Sequence, residues 1–265
     1  MTLKDKVAIV TGGGQGIGKA IALAFAAEGA AVVVAARTLP NLERTVKEIT
    51  AKGGKALARA TDITDEKQVE GLVADALKAY GKIDILVNNS GIAGPTALVP
   101  DLNLAEWNQV LAVDLTGSML CSKYVLKQMM PQKSGIIINI GAEAGRAGDG
   151  RAGYPMRSPY CCAKMGLIGL TETLSVEMGP HNIRVNCVSP AAVKGERIIN
   201  VFKARAEAAG VPFEELWSTL TSTYSLGRIT DETDVAGICV FLASDAAKSI
   251  TGQTIACHSG HHTVF

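Results

Sequence analysis

The 265-residue chain lacks a charge surplus, a long apolar run and a paired-cysteine motif. Its 26 Lys and Arg nearly balance 25 Asp and Glu, which gives no reason to expect nucleic acid or an anionic membrane as a partner. No uncharged apolar run reaches membrane-spanning length, and the first residues lack the apolar core of a signal peptide. We therefore expect a soluble cytoplasmic protein.

The six cysteines show no C-x-x-C spacing, and most lie inside apolar segments. This pattern is typical of small buried hydrophobic residues in a reducing compartment. The adjacent Cys161 and Cys162 could form a redox site, but consecutive residues on a helix point to different faces, which disfavours that interpretation.

Three histidines near the terminus, His258, His261 and His262, could suggest a metal site. Apart from Cys257, no cysteine or carboxylate accompanies them at ligand spacing. We expect no metal, and prefer surface or subunit contacts for these side chains.

Strand and helix signals alternate along the whole chain. Most strand signals are short runs of Val, Ile and Ala without polar alternation, typical of strands covered on both faces of a parallel sheet. The pattern predicts one α/β domain over 1–265, a doubly wound three-layer sandwich with a seven-stranded parallel sheet. The irregular stretch at about 190–227 should form a lid over the ligand crevice, with one or two short helices. We expect strands over 7–10, 31–36, 56–60, 83–88, 136–140, 184–188 and 254–257, and helices over 17–27, 39–52, 65–80, 105–130, 159–178 and 231–243.

A glycine-rich turn joins the first strand to the first helix. Its glycines permit positive φ and let a ligand approach the main chain, and free amides at the helix start favour an anion such as a pyrophosphate. The spacing Thr11-Gly12-x-x-x-Gly16-Ile17-Gly18 resembles the glycine motif of the short-chain dehydrogenase/reductase family, in particular its 3-oxoacyl-[acyl-carrier-protein] reductase-like members, and not the Gly-x-Gly-x-x-Gly of long-chain dehydrogenases. The resemblance implies a Rossmann-like fold. The coenzyme residues expected in this turn are Gly12, Gln15, Gly16, Ile17 and Gly18.

The end of the second strand bears on the choice of coenzyme. In dinucleotide folds an acidic residue there bonds the adenosine ribose, whereas an arginine accepts a 2′-phosphate. Here Ala36 stands where NAD-using relatives often carry Asp, and Arg37 follows. The planar guanidinium suits a phosphate, so NADP(H) is favoured and NAD(H) remains possible. Arg37 could instead stack on adenine or point to solvent, and Gln15 is not the extra basic residue of some NADP enzymes.

Two motifs after later strands also match the family. Asp62-Ile63 resembles its adenine contact, and Asn88-Asn89-Ser90-Gly91 resembles its Asn-Asn-Ala-Gly motif. Such asparagines can be purely structural, because their side chains can tie neighbouring strands together. We expect Asn88 to line the cofactor and Asn89 to have a structural role.

The segment from Asn186 to Val193 resembles the family's Asn-x-x-x-Pro-Gly segment, with Ala191 in place of the glycine. The match implies that backbone groups of Val193 meet the nicotinamide carboxamide. Lys194 and Arg197 then begin the lid. These charges could meet an acidic substrate, but we favour solvated lid charges.

The sequence Tyr160-Cys-Cys-Ala-Lys164 opens an apolar helix after a buried strand. Residues i and i+4 share a helix face, and a cation beside a phenol favours the phenolate, so the pair could act as acid or base nearer neutral pH. Alone, the motif could equally be an exposed cation beside a half-buried aromatic ring. The family resemblance implies that Tyr160 donates a proton to the carbonyl oxygen and that Lys164 holds the nicotinamide ribose and lowers the tyrosine pKa.

Two residues depart from the family pattern. Ala142 occupies the position of the usual catalytic serine, and no Ser or Thr occurs from Gly135 through Arg157. Losing such a hydroxyl donor typically costs about two to three orders of magnitude in rate. Asp114 replaces the usual Asn, and it could keep that residue's role in shaping the helix and supporting a water relay to the lysine. Glu143 could interact with substrate, although we favour solvent for it.

The resemblance implies an NADP(H)-dependent oxidoreductase that moves hydride between nicotinamide and a ketone or secondary alcohol, with Tyr160 as general acid/base. Ala142 fits a natural active variant, an engineered Ser-to-Ala knockout or a protein that has lost turnover. The alternative is a catalytically silent NADP(H)-binding regulator or scaffold.

The family also implies a homo-oligomer, a dimer or tetramer built on the long helices over 105–130 and 159–178. A five-residue repeat within 145–153 indicates a loop duplication.

Overall fold

The computed structural model describes residues 1–143 and 154–261. The predicted loop duplication at 145–153 and His262 lie outside these residues. The strands are β1 (Val7–Thr11), β2 (Ala31–Ala36), β3 (Lys55–Ala60), β4 (Ile85–Asn88), β5 (Gly135–Ile140), β6 (Ile183–Pro190), β7 (Val193–Lys194), β8 (Thr230–Asp231) and β9 (Thr254–Cys257). The helices are α1 (Gly16–Ala27), α2 (Leu39–Ala51), α3 (Glu66–Tyr80), α4 (Leu104–Leu111), α5 (Gly117–Gln132), α6 (Ser158–Met178), α7 (Glu196–Ala209), α8 (Phe213–Ser222) and α9 (Glu232–Ala243).

Seven strands form one parallel sheet in the order β3-β2-β1-β4-β5-β6-β9. This order confirms the predicted doubly wound α/β architecture. The chain winds outward in one direction from β1 to β3 and in the other from β4 to β9. A crevice therefore opens at the carboxyl ends of β1 and β4, where ligands bind in folds of this type.

Apolar side chains cover both faces of the sheet, as expected for buried parallel strands. Along β1, Ala8 and Val10 belong to one core cluster and Ile9 to the other, which follows from the two-residue period of a strand. The first cluster includes residues of α1, α2 and α9, and the second includes residues of α3, α5 and α6. The predicted three-layer arrangement is thus confirmed.

The predicted helix over 105–130 is not one regular helix. It consists of α4, a π-helical turn over Ala112–Thr116, and α5. A π-turn adds a residue to the helical repeat and so changes which side chains face inward. Asp114 lies in this turn and is fully buried.

The predicted lid region contains both α7 and α8, and β7 precedes them. β7 pairs with β8 in a separate parallel ladder, Val193 with Thr230 and Lys194 with Asp231. No sequence pattern predicts these strands, because two residues form no apolar run. Among residues 1–143 and 154–261, no helix combines the length and apolarity needed to cross a bilayer.

Candidate active site

In the glycine-rich turn after β1, the glycines allow main-chain atoms to lie close to one another. Gly12 and Gly16 have φ of +66° and +57°, in the left-handed region that favours glycine. A Cβ on Gly18 would collide with the carbonyl oxygen of Gly12, so α1 begins pressed against the turn. Gln15 makes no side-chain capping bond, and the first turn of α1 has no acidic residue. The amides at the start of α1 therefore suit an anion such as a pyrophosphate.

Thr11 ties the end of β1 to the end of β4. Its hydroxyl accepts hydrogen bonds from the amides of Asn89 and Ser90 at 2.9 and 3.0 Å and donates to the carbonyl oxygen of Val87 at 3.2 Å. The Asn89 amide group donates to the carbonyl oxygen of Thr11 at 3.0 Å. These bonds agree with the structural role predicted for Asn89. Thr11 opens the glycine motif that resembles the family's, but nothing in the sequence predicts its bonds to the loop after β4.

Asn88 occupies a buried polar chain between β4 and its neighbours. Its side chain is 2% exposed and donates to Asn139 Oδ1 at 2.9 Å and Ser122 Oγ at 3.1 Å. Asn139 in turn donates to Thr171 Oγ1 at 2.9 Å. The side chain of Asn88 therefore bonds other side chains in the protein interior, and its predicted contribution to the cofactor site stays a prediction.

Lys164 is held inside the protein on α6. The side chain is 5% exposed, and Nζ donates to the carbonyl oxygen of Ile140, the last residue of β5, at 3.0 Å. Nζ lies 5.6 Å from the ring centroid of the half-buried Tyr160, one turn earlier on α6. Burial lowers the pKa of Lys164, and the nearby Asp114 opposes that shift. The predicted i, i+4 pair thus lies together at the end of β5.

Asp114 provides the carboxylate opposite this lysine. Its Oδ1 accepts the amide of Ile92 at 2.8 Å, and its Oδ2 lies 3.8 Å from Lys164 Nζ. That separation is an ion pair and exceeds a direct hydrogen bond. Burial raises the pKa of Asp114, and the Lys164 charge opposes the shift. Tyr160, Lys164 and Asp114 therefore form one connected group at the carboxyl edge of the sheet.

Ala142 follows β5 and is 8% exposed. The next residue, Glu143, does not face solvent, so that expectation is wrong. Its side chain is 13% exposed, and its Oε2 lies 2.9 Å from Nδ1 of His261. His261 thus makes a contact within the chain, and its predicted surface or subunit contact stays a prediction. The described residues contain no cluster of three His, Cys, Asp or Glu side chains able to hold a metal.

Arg37 is exposed at the end of β2. Asp62 follows β3, and its Oδ1 accepts bonds from the amide and hydroxyl of Thr64 at 2.9 and 2.7 Å, while Ile63 is 5% exposed. Val193 lies in β7, beside the sheet's carboxyl edge. All three segments follow strands whose carboxyl ends border the crevice.

Lys194 and Arg197 are the two charged residues that begin the predicted lid. Lys194 is exposed and lines a cavity with Trp217, Thr221 and Arg228. The side chain of Arg197 lies outside the described part of the chain. The cavity lies between the end of β7 and α8.

Arg157 is a further residue that the sequence analysis missed. Its Nη1 donates to the carbonyl oxygens of Ala93 and Gly94 at 3.0 and 3.1 Å. Arg157 immediately precedes α6, so these bonds tie the start of the Tyr160 helix to the loop after β4. Its partners are backbone groups about 64 positions away, and the sequence carries no signal for them.

The cysteines are all free, and Cys162 alone among them is exposed. Burial raises the pKa of Cys121 to about 12 and that of Cys187 to about 11. These values describe inert thiols in an apolar setting, in agreement with the expected role as small hydrophobic residues.

A parallel sheet with a glycine-rich turn after β1 and a Tyr-x-x-x-Lys pair on the helix after β5 defines a Rossmann-fold dehydrogenase. The family model for short chain dehydrogenase matches residues 6–206, and the chain belongs to this family. It is accordingly an oxidoreductase of the type that acts on CH–OH or C=O groups.

Relatives match along almost the whole chain. A 3-oxoacyl-[acyl-carrier-protein] reductase of Synechocystis sp. is 38% identical over 260 residues, covering 97% of each chain. A cis-4-hydroxycyclohexanecarboxylate dehydrogenase of Sinomonas cyclohexanicum is 35% identical over 262 residues, covering 98% of each. The crystal structure of an NAD+-bound xylitol dehydrogenase has a TM-score of 0.89 at 30% identity, covering 98% of this chain and all of that one.

Proposed function

We propose that the protein is an NADP(H)-dependent oxidoreductase that transfers a hydride between nicotinamide and a ketone or secondary alcohol, with Tyr160 as general acid/base. The observation that carries the proposal is the buried ammonium of Lys164 beside the Tyr160 ring, fixed by Ile140 and paired with Asp114. Burying a charged amine destabilises a purely structural core, whereas a cation next to a phenol favours the phenolate and so suits proton transfer.

The residues present fit a dinucleotide. The left-handed glycines and uncapped amides of the turn suit its pyrophosphate, and the switch point of the sheet provides the crevice. When bound, the coenzyme supplies or accepts the hydride. We assign coenzyme binding to Gly12, Gln15, Gly16, Ile17, Gly18, Arg37, Asp62, Ile63, Asn88 through its backbone, Tyr160, Lys164 and Val193.

In the reducing direction the carbonyl carbon gains a C–H bond from the hydride. The carbonyl oxygen gains the proton of the Tyr160 hydroxyl, which leaves a phenolate. The ammonium of Lys164 stabilises that phenolate, and the carboxylate of Asp114 favours the protonated state of Lys164. Alcohol oxidation reverses these transfers, with the phenolate taking the hydroxyl proton.

Turnover tests this assignment directly. We expect oxidation of NADPH, followed at 340 nm, with at least one member of a panel of ketones. Tyr160→Phe should lower kcat by about two to four orders of magnitude, because the general acid is lost, and should weaken NADPH binding far less. NADPH binding without turnover of any ketone or alcohol would instead support the catalytically silent alternative, which the dehydrogenases and reductases among the relatives do not favour.

Two arginines support the preference for NADP(H). Arg37 is exposed at the end of β2, after an alanine where a carboxylate would repel a phosphate. Arg44 bonds the side-chain oxygen of Asn41, and the Cβ of Asn41 would lie 2.9 Å from a Cβ on Gly14. Arg44 therefore brings a second cation beside the glycine-rich turn, a role that Gln15 does not fill.

Dissociation constants for the two coenzymes test this preference. We expect Arg37→Ala to weaken NADPH binding at least about tenfold and NADH binding far less, because only NADPH carries the 2′-phosphate. Lys47→Ala is the matched control, since Lys47 is an exposed cation on the same helix as Arg44. Tighter binding of NADH than of NADPH by the unaltered protein would overturn the assignment.

We also propose a single domain whose segment at about 190–227 covers the bound substrate, and a homo-oligomer. The helices that follow β4 and β5 expose apolar side chains, Leu104, Met119, Met165 and Val176. Covering them in a dimer or tetramer would remove this surface from water. Light scattering should give a multiple of 27.6 kDa, and a particle of that single mass would contradict the assembly.

A further inference from the structure

A carboxylate from the far end of the chain lies at the glycine-rich turn after β1. A Cβ built on Gly16 would lie 3.7 Å from Oε1 of Glu232. Within the described part of the chain, apart from the helix of Gly16 and its chain neighbours, this oxygen is the only atom within 4 Å of that position. The space in front of Gly16 is therefore open except for one carboxylate oxygen, and Gly16 belongs to the turn assigned to the coenzyme diphosphate.

The same oxygen also borders the segment after β7. A Cβ built on Gly195 would lie 3.3 Å from Glu232 Oε1, again the only atom within 4 Å among residues 1–143 and 154–261 outside the chain neighbours of Gly195. Gly195 comes two residues after Val193, whose backbone is assigned to the nicotinamide carboxamide. Glu232 thus stands between the two segments that would enclose the coenzyme.

The packing of α9 against α1 places Glu232 there. Glu232 is the first residue of α9, and Val235 of this helix shares a core cluster with Ile21 of α1. Asp231 and Asp234 form a capping box, in which the side chain of each accepts the backbone amide of the other. The backbone at the start of α9 is therefore fixed, with the side chain of Glu232 at the turn.

The carboxylate of Glu232 has no partner that would neutralise it. The residue is half-buried, and no hydrogen bond or ion pair holds its side chain within residues 1–143 and 154–261. Burial raises the pKa of Glu232, the charge of Lys19 opposes that shift, and the charge of Asp231 adds to it. A half-buried carboxylate without a cation gains a proton more readily than one in water.

The charged groups around Glu232 are already engaged with one another. Lys19 of α1 bonds Glu48 of α2 at 2.6 Å. Asp231 lies 3.5 Å from Arg228, and Lys194 of β7 stands opposite Asp231 in the short ladder with β8. A diphosphate bound to the amides of the turn would thus meet a carboxylate that no neighbouring cation compensates.

We propose that Glu232 couples coenzyme binding to the uptake of one proton, because its anionic form opposes the diphosphate and its neutral form admits it. This inference rests on the proposed function. The proton comes from solvent and stays on the carboxyl group of Glu232, while the hydride transfer and the proton of Tyr160 are unaffected. Since the diphosphate favours the protonated carboxyl, coenzyme affinity is highest at low pH and falls as the pH rises.

Dissociation constants between about pH 6 and pH 8 test the coupling, measured by the fluorescence of the reduced nicotinamide. NADH is the decisive probe, because the 2′-phosphate of NADPH itself titrates near about pH 6. For the unaltered protein, the Kd for NADH should rise with pH, by at most about tenfold per pH unit for one proton. Glu232→Gln should bind NADH at least about tenfold more tightly at the upper end of this range and lose most of the pH dependence.

Two further variants complete the experiment. Glu232→Ala removes the charge without supplying an amide, so it should change the Kd in the same direction as Glu232→Gln. Glu106→Gln is the matched control, because Glu106 is an exposed carboxylate in the first turn of another helix, α4. Its Kd should equal that of the unaltered protein at every pH.

The outcomes separate this inference from the function beneath it. A Kd for Glu232→Gln equal to that of the unaltered protein would refute the role of Glu232 and leave the proposed function standing. Tightening by the same factor at every pH would refute the uptake of a proton, because the carboxylate would then turn away as an anion. Failure of the unaltered protein and the variants to bind either NADH or NADPH would overturn the proposed function as well.

Discussion

Replacing Asp114 by the isosteric Asn tests how strongly the buried carboxylate controls Lys164. Burial lowers the pKa of Lys164, and the charge of Asp114 raises it again. Asp114→Asn removes only the second effect, because the oxygen that accepts the Ile92 amide is retained. The pKa of Lys164 should therefore fall further below its usual range.

The size of the shift follows from the separation of 3.8 Å between Nζ and Oδ2. At an effective dielectric constant of about 20, unit charges about 4 Å apart interact by about 4 kcal/mol. This is an upper bound, because burial also raises the pKa of Asp114. We therefore expect the pKa of Lys164 to fall when the charge of Asp114 is removed, by no more than this interaction energy allows.

The assay is kcat/KM against pH for the unaltered protein and Asp114→Asn. In the proposed reaction the protonated amine of Lys164 is the active form. A lower pKa removes that form at lower pH, so the basic limb of the profile should move to lower pH. Asp75→Asn is the control, since Asp75 pairs with Arg59 at the surface and its loss should leave the profile in place. A basic limb that stays where it was, or moves to higher pH, would refute the coupling.

Three further predictions concern stability and reactivity. Gly18→Ala should lower the free energy of unfolding in urea by about 2–3 kcal/mol, because the new Cβ meets the carbonyl oxygen of Gly12. Gly169→Ala is the control: the space around Gly169 in α6 is open, so this change should raise the free energy of unfolding by at most about 1 kcal/mol. Equal losses for the two variants would contradict the steric argument. Thr11→Val should cost about 2–4 kcal/mol in the same assay, because two loop amides lose their acceptor, and a loss below 1 kcal/mol would show that water replaces it. A thiol reagent should modify one cysteine rapidly, and Cys162→Ser should abolish that phase; a fast phase that survives would mean that a buried cysteine is accessible.

The fold could be predicted because strands buried on both faces leave apolar runs that local composition reveals. The predictions for β2 and β9 match the structure to the residue, and the strand expected over 83–88 is two residues shorter, as Ile85–Asn88. β7 and β8 could not be found, since two residues carry no period. The doubly wound architecture was predicted from the alternation of strand and helix signals and not from any single residue.

Site residues could be predicted only where they belong to a local sequence pattern, which is helical spacing for one pair and the glycine-rich turn for the others. The Tyr160–Lys164 pair could be found because i and i+4 share a helix face, whatever the rest of the chain does. The partners that give the lysine its properties, Ile140 and Asp114, come from other elements. The assignment of Asn88 to the coenzyme came from the resemblance to the family's Asn-Asn-Ala-Gly motif, whereas its buried partners, Ser122 and Asn139, are 34 and 51 positions away and leave no local signal.

The position of Asp114 shows how a small irregularity in backbone decides what a residue can do. The sequence predicts one continuous helix. On such a helix, a carboxylate in an apolar stretch would interrupt the apolar face that packs against the core. The π-helical turn over Ala112–Thr116 interrupts that helix and leaves Asp114 facing both the amide of Ile92 and the amine of Lys164. A buried carboxylate without such partners would be strongly destabilising, so the π-turn and the ion pair depend on each other. Asn at this position would keep the hydrogen bond from Ile92 but lose the charge that opposes the fall in the pKa of Lys164.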